Sequence, residues 1–432
     1  MKKLALVVGL LALIVAGATA QAKTPLKFLY YIDATQAGYA EDQAFWQKFK
    51  DANPDIDLQI EILFSQAYHQ KLGAYIAAGQ VPDVVYMWPT SRDSSALLHD
   101  QKLVKDLKTV LPADFLKNFT AQALNSANQS SKQLSELPQS FTYTTVVYAN
   151  VGLLKSLGLS VPKTYAELKA LVPKLKVKGI QTLLLPDADK WPAQSCLFST
   201  ISGRLLGDKF IDDVKAGKAK FTDKGFVDAL KFYEQLYKDG VIDKSNVQLG
   251  YGDGPGLFAS GKAAFIVDGD WRVGAYITDK STGKALIDPA KQASDFELIN
   301  FPAIPGEKNK NTASGIAGVG LGISKDLTGA KLEAAKKLVM WYYGKEFQTM
   351  KYETGAFIPT RTDVKSDKVE PLTTKLSKFY TTLGASTYVL DGSLDPSVFN
   401  PLNDGLQAIG LGASTPADVA ATMQKAQDAL KK

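Results

Sequence analysis

The string Asp268-Gly269-Asp270-Trp271 places two carboxylates and an indole in four consecutive positions, just after the apolar run Ala263 to Val267. Two chemistries are open to it. A carboxylate pair can do acid and base work on a glycosidic bond, but that needs a set separation across a sugar, and Asp-Gly-Asp is more often a turn. The other chemistry is recognition. An indole presents an apolar face with a polar rim, and so does a sugar ring. The apolar run reads as a strand that delivers Trp271 to its end. Trp88, after Val84 to Met87, and Trp191, beside Asp187, Asp189 and Pro192, also fall at a strand end and in a loop. Tyr31 and Tyr143 occupy comparable positions, and Asp33, Gln66, Asp270 and Arg361 are the residue types that bind hydroxyl edges. Most other aromatics read as core: Phe45, Trp46, Phe49, Tyr75, Phe226 and Tyr233 recur on apolar helical faces.

Other chemistries lack their residues. One cysteine, Cys196, and two histidines, His69 and His99, cannot make a disulfide or a His/Cys zinc cluster. Cys196 reads as a buried thiol and the histidines as packing or surface groups. The chain has no G-x-x-x-x-G-K-[ST], G-x-S-x-G, H-E-x-x-H or EF-hand string, so nucleotide, serine-hydrolase and common metalloprotease mechanisms have nothing to work with. Gly250-Tyr251-Gly252-Asp253-Gly254-Pro255-Gly256 reads as a flexible loop, not an anion cradle, and Gly315 to Gly322 receives the same reading. No cofactor or metal is implied.

The elements that carry these residues are legible from periodicity. Met1-Lys2-Lys3, the apolar run Leu4 to Val15 and two A-x-A sites ending at Ala20 and Ala22 read as a secretory signal peptide over 1–20 or 1–22. The run is too short to span a membrane, and no cysteine follows it to carry a lipid. The mature protein is thus expected to be soluble outside the cytoplasm. Its formal charge, +6 with Lys2 and Lys3 included, is spread without basic blocks, which does not suit nucleic acid. At 432 residues and 45% apolar composition, the chain can bury two large cores.

Leu26 to Ile32 predicts a first strand; Phe45, Trp46, Phe49 and Ala52 predict a helix stopped by Asn53-Pro54. Ile56 to Ile62 alternates as a second strand. Tyr68, Leu72, Tyr75 and Ile76 predict a helix closed by Gly79, followed by a third strand from Val84. Strands separated by helices imply a parallel sheet with ligands at its carboxyl edge. Further on, Thr164-Tyr165-Ala166-Glu167 is a capping box, and Thr415-Pro416 opens a final helix.

Three strings together resemble a known family. Lys71-Leu72 with Ala77 to Val85, the stretch Leu137-Pro138 to Tyr165-Ala166-Glu167-Leu168, and Phe258…Gly261-Lys262-Ala263-Ala264-Phe265…Gly269-Asp270-Trp271 are similar to the maltodextrin-binding-like extracellular solute-binding proteins of sugar importers. Phe301-Pro302, Glu353-Thr354-Gly355 with Pro359, and Leu411-Gly412 extend the similarity over nearly the whole mature chain. The resemblance implies an α/β, two-lobed periplasmic binding protein fold, each lobe a mostly parallel sheet flanked by helices, with a hinge of about three crossing segments. It implies an N-terminal lobe over 23–140 and 300–350 and a C-terminal lobe over 141–299 and 351–432. The implied function is capture of a mono- or oligosaccharide by cleft closure and delivery to membrane permease subunits of an ABC importer, by a periplasmic monomer that is not an enzyme. A secreted carbohydrate-active enzyme, or a receptor of this fold for another solute, are the alternatives. Relatives place a tryptophan of the third string against the sugar, here Trp271. They also carry two aromatics before the asparagine where this chain has Tyr148-Ala149-Asn150, so the second-lobe tyrosine contact is not carried over.

Overall fold

The computed structural model describes residues 22–34, 38–88, 94–125 and 133–430. The expected signal peptide lies outside the described residues. Strands are numbered along the chain. In β1 (Thr24–Tyr31) the residues Leu26, Phe28, Leu29 and Tyr30 are buried, and β2 (Ile56–Leu63) pairs with it in parallel over its whole length, Thr24 opposite Ile56 and Tyr31 opposite Leu63. β3 (Val84–Met87) pairs in parallel on the other side of β1. The helices Tyr39–Ala52 and Ser65–Ala77 make the two crossovers that parallel neighbours require. The first buries Phe45, Trp46 and Phe49 as their spacing dictates; the second ends near Gly79, whose φ of 67° is the left-handed conformation glycine tolerates. This sheet is completed by β13 (Gly320–Ile323) and β4 (Leu137–Pro138), in the order β2-β1-β3-β13-β4.

A second sheet has the order β11-β6-β8-β7, from β6 (Val146–Asn150), β7 (Gln181–Leu184), β8 (Ala263–Asp268) and β11 (Phe296–Ile299). The helix Tyr165–Lys176 packs on β7, and the helix Lys224–Lys238 packs behind it on the helices Ser199–Leu206 and Pro416–Ala429. The capping box forms, with Thr164 Oγ1 accepting the Glu167 N–H and the Glu167 carboxylate accepting the Thr164 N–H. A third sheet, β14-β12-β5, joins β5 (Phe141–Tyr143), β12 (Thr312–Ala317) and β14 (Ala385–Thr387). A small hairpin, β9 (Thr278–Asp279) and β10 (Lys284–Ala285), stands apart.

The two large sheets have separate cores. Phe28, Trp46, Leu72 and Tyr342 belong to one; Val147, Phe198, Tyr233 and Phe265 belong to the other. The chain passes between them three times: through β5, through β12, and from the helix Lys345–Glu353 to the helix Pro371–Thr382. Buried hydroxyls of Thr144, Thr145, Thr200 and Ser314 bond one another where the first two passages meet the second lobe.

One detail departs from expectation. The sheets are mixed, not mostly parallel: β13 runs antiparallel to β3 and β4, and β6 runs antiparallel to β8 and β11. Parallel order needs a helical crossover, whereas β4, β6, β11 and β13 adjoin the passages between lobes, which are extended strands. The stretch from residue 300 to β12 packs with the second sheet. Phe301 and Ile304 pack in the second core, and buried Arg204 holds the carbonyls of Phe301, Pro302 and Thr312, so this stretch stays with the second sheet until β12.

Candidate functional site

β8 ends in Asp268, whose carboxylate is buried and fully engaged. Its Oδ2 accepts from Arg272 Nε at 2.6 Å, while Oδ1 accepts the Gly269 N–H at 2.7 Å and the Tyr251 hydroxyl at 2.8 Å. The same hydroxyl oxygen accepts the indole N–H of Trp271 at 2.5 Å. Arg272 lies over the Tyr251 ring, 3.9 Å from its centroid, and Trp191 packs against Tyr251 at 4.7 Å and Trp271 at 6.1 Å. Trp191 and Trp271 are half-buried. Their polar rim is spent inside the protein for Trp271, so what its ring has left to offer is its apolar face.

Gly269 belongs to this arrangement. A methyl group there would overlap the six-membered ring of Trp271, although its φ of −79° suits any residue. The glycine is needed for the indole and not for the backbone.

Asp270 ties elements together. It is buried, and its Oδ2 accepts the Tyr143 N–H at 2.7 Å and the hydroxyl of Tyr380. Burial pushes its carboxyl up to about 7. Tyr380 and Tyr143 pack ring to ring at 4.9 Å. Asp270 therefore fixes β5 to the second lobe, and neither it nor Asp268 is placed as an exposed acid.

The first lobe gathers its own rings at the carboxyl ends of β1 and β3. Tyr31 stacks on Tyr86 at 5.7 Å, Trp88 meets Tyr31 edge-on at 5.0 Å, and His69 packs against Trp88 at 4.8 Å. His99 Nε2–H donates to the Trp88 carbonyl at 2.7 Å, and burial lowers the imidazole pKa, which keeps it neutral. Both histidines are buried packing groups. Asp33 follows β1 at the same edge, half-buried; Gln66 opens the following helix, and its side chain lies outside the described residues.

Of the nine residues singled out from the sequence, Tyr31 and Trp88 thus meet in one cluster, Trp191 and Trp271 in another, and Tyr143 with Asp270 at a passage between lobes. Arg361 joins none of them. Its guanidinium grips Asp363 with Nε at 2.6 Å and Nη2 at 3.0 Å, gives Nη1–H to the Tyr343 carbonyl at 3.0 Å, and sits near the Phe115 and Phe119 rings. It fastens the third passage to the first lobe. Sequence reading missed Phe64, Tyr251 and Tyr380. Phe64 carries the signal that selected Tyr31, a ring just past a strand end. Tyr251 sits in the glycine run expected to be a flexible loop, yet it is fixed by four side chains, and a helix begins at Gly254. Among the described residues no group of acids, histidines or cysteine could hold a metal ion, and no helix is long and apolar enough to cross a membrane.

Two mixed α/β lobes, three passages between them and ring clusters at strand ends define a ligand-capturing receptor. The chain belongs to the bacterial extracellular solute-binding protein family, which it matches over residues 33–349. It is 26% identical over 325 residues to the multiple sugar-binding protein of Streptococcus mutans, covering 72% of this chain and 71% of that one. Among solved structures, a chitin oligosaccharide binding protein superposes with a TM-score of 0.81 at 23% identity, over 94% of this chain and 98% of that one. The maltose/maltodextrin-binding domain MalE of Bdellovibrio bacteriovorus, bound to maltotriose, does so with a TM-score of 0.72 at 19% identity, over 94% and 100%. These relatives are binding proteins, not enzymes.

Proposed function

We propose that this protein captures a mono- or oligosaccharide between its lobes and delivers it to the permease of an ATP-driven importer. The observation that carries the reading is the pair of ring clusters, Tyr31 with Trp88 and Trp191 with Trp271, each at the carboxyl edge of its own lobe's sheet. Stacking rings on the apolar faces of a sugar, with hydrogen bonds at its edges, reaches micromolar affinity, about −8 kcal/mol, without a metal. The sugar-binding relatives support the carbohydrate class. The carbohydrate-active alternative would need two facing carboxyl groups, whereas Asp268 and Asp270 are both committed to internal partners.

In this reading one lobe is built from residues 23–140 and the stretch from β13 through the helix Lys345–Glu353, and the rest of the mature chain forms the other. The protein acts as a soluble monomer outside the cytoplasm, free of a lipid anchor once the leader is removed. Binding closes the hinge, and the permease recognises the closed form. Titration with malto-, xylo- and chito-oligosaccharides, followed by X-ray scattering at saturation, tests this: a chelator-insensitive complex with a smaller radius of gyration is expected. Saturation with no change in radius would refute hinge closure, and slow release of cleaved product would restore the enzyme alternative.

A further inference from the structure

Phe64 is the one aromatic side chain among the large apolar residues exposed in the described structure, at 39% of its surface. It follows the last residue of β2, and Leu63 pairs with Tyr31 at the end of β1. Leu29 pairs with Val85, so β3 ends on the far side of β1, and Trp88 follows it. Three neighbouring strands therefore end in Phe64, Tyr31 and Trp88, in the order β2-β1-β3. Tyr31 stands in the middle, its ring centroid 5.1 Å from Phe64 and 5.0 Å from Trp88. Adjacent strands lie about 4.8 Å apart, so the row runs across two such spacings. One sugar ring covers one aromatic face. A single sugar seated near Trp88 and Tyr31 would leave Phe64 uncovered.

We propose that Phe64 stacks on a second or later unit of a bound chain, so that the ligand is an oligosaccharide and Phe64 sets the preference for its length. This rests on the carbohydrate reading above. Phenylalanine has no polar rim, so it reads a sugar's face and nothing else. One exposed ring beside half-buried ones is too small a patch to hold a protein partner, which needs a far larger contiguous surface. Phe64 caps the helix Ser65–Ala77 through its backbone alone, with no side-chain hydrogen bond, so truncating it leaves the cap unchanged.

The test is calorimetric titration of wild type, Phe64→Ala and Phe64→Leu with glucose, maltose and maltotriose and with the matching xylose and N-acetylglucosamine series. In the series that binds, wild-type affinity should rise from one unit to three. Phe64→Ala should lose about three- to ten-fold for the trisaccharide and nothing for the monosaccharide, and Phe64→Leu, apolar but not flat, should not recover the loss. Equal losses at every length, or none at the longest, would overturn the proposal while leaving the carbohydrate reading intact. So would a wild type that binds only the monosaccharide. A wild type that binds no member of any series would overturn the carbohydrate reading and this proposal with it.

Discussion

Replacing Gly269 by alanine moves Trp271 without deleting it. The added methyl would overlap the outer ring of the indole, so the ring must withdraw by about 1 Å or more to regain ordinary contact distance. That withdrawal stretches or breaks the 2.5 Å bond from the indole N–H to Tyr251. Two stability effects then nearly cancel: alanine at an allowed φ gains roughly 0.4–1 kcal/mol through the unfolded chain, and the lost hydrogen bond costs about 1 kcal/mol. Binding has no such offset. If the Trp271 face stacks on the sugar, misplacing it should cost about 1–3 kcal/mol of affinity, roughly 5- to 150-fold. The clean assay is a double-mutant cycle of Gly269→Ala with Trp271→Ala, scored by both sugar affinity and unfolding free energy. Gly269→Ala should weaken binding in the wild-type background and do almost nothing where the indole is absent. Full affinity in Gly269→Ala, or an equal loss in both backgrounds, would refute the placement of Trp271 in the site.

Two further substitutions test Asp270 and Arg361, whose polar atoms are engaged inside the protein. Asp270 holds its proton up to about 7 in the folded protein, against an ordinary value of 3.8, so the folded state binds more protons than the unfolded chain across that window. Stability should therefore fall as pH rises from about 4 to about 7, by up to roughly 1.4 kcal/mol per pH unit, relative to Asp270→Asn. Denaturation curves at stepped pH read this directly, and parallel curves for the two proteins would show that Asp270 does not titrate there. Arg361→Ala should cost about 1–3 kcal/mol of stability, because it releases Asp363 and the Tyr343 carbonyl, with affinity of the folded protein unchanged. A loss of affinity at constant stability would return Arg361 to the site.

Local rules carried much of this architecture. The 3.6-residue spacing of Phe45, Trp46 and Phe49 and the Thr164 capping box depend on neighbours a few positions away, and both appear as read. Strand direction does not work that way. Nothing inside Gly320 to Ile323 says that β13 will lie between β3 and β4, because pairing is decided by where the passages between lobes deliver the chain. The ring clusters show the same division. Tyr31, Trp88 and Trp271 stand at or just past strand ends, which are visible in sequence. The burial of Asp270 is not visible in sequence, because Tyr380, which helps to bury it, lies 110 positions away. Arg361 was read by residue type, although Asp363, only two positions on, was there to engage it.

The place of β13 has a kinetic consequence. The first sheet cannot be finished until residues 320–323 arrive, since without them β4 has no strand beside it and β3 has an open edge. More than half of the polypeptide, including most of the other lobe, must be made first. Long-range strand pairing of this kind is slow, because the closure entropy is spent before the contacts that repay it. A chain of this topology stays open late in its synthesis, with its middle free to condense around β6, β7 and β8 while its beginning waits for its end. A sheet closed by its last-made strand leaves the earliest strands of the chain among the last to reach their native pairing.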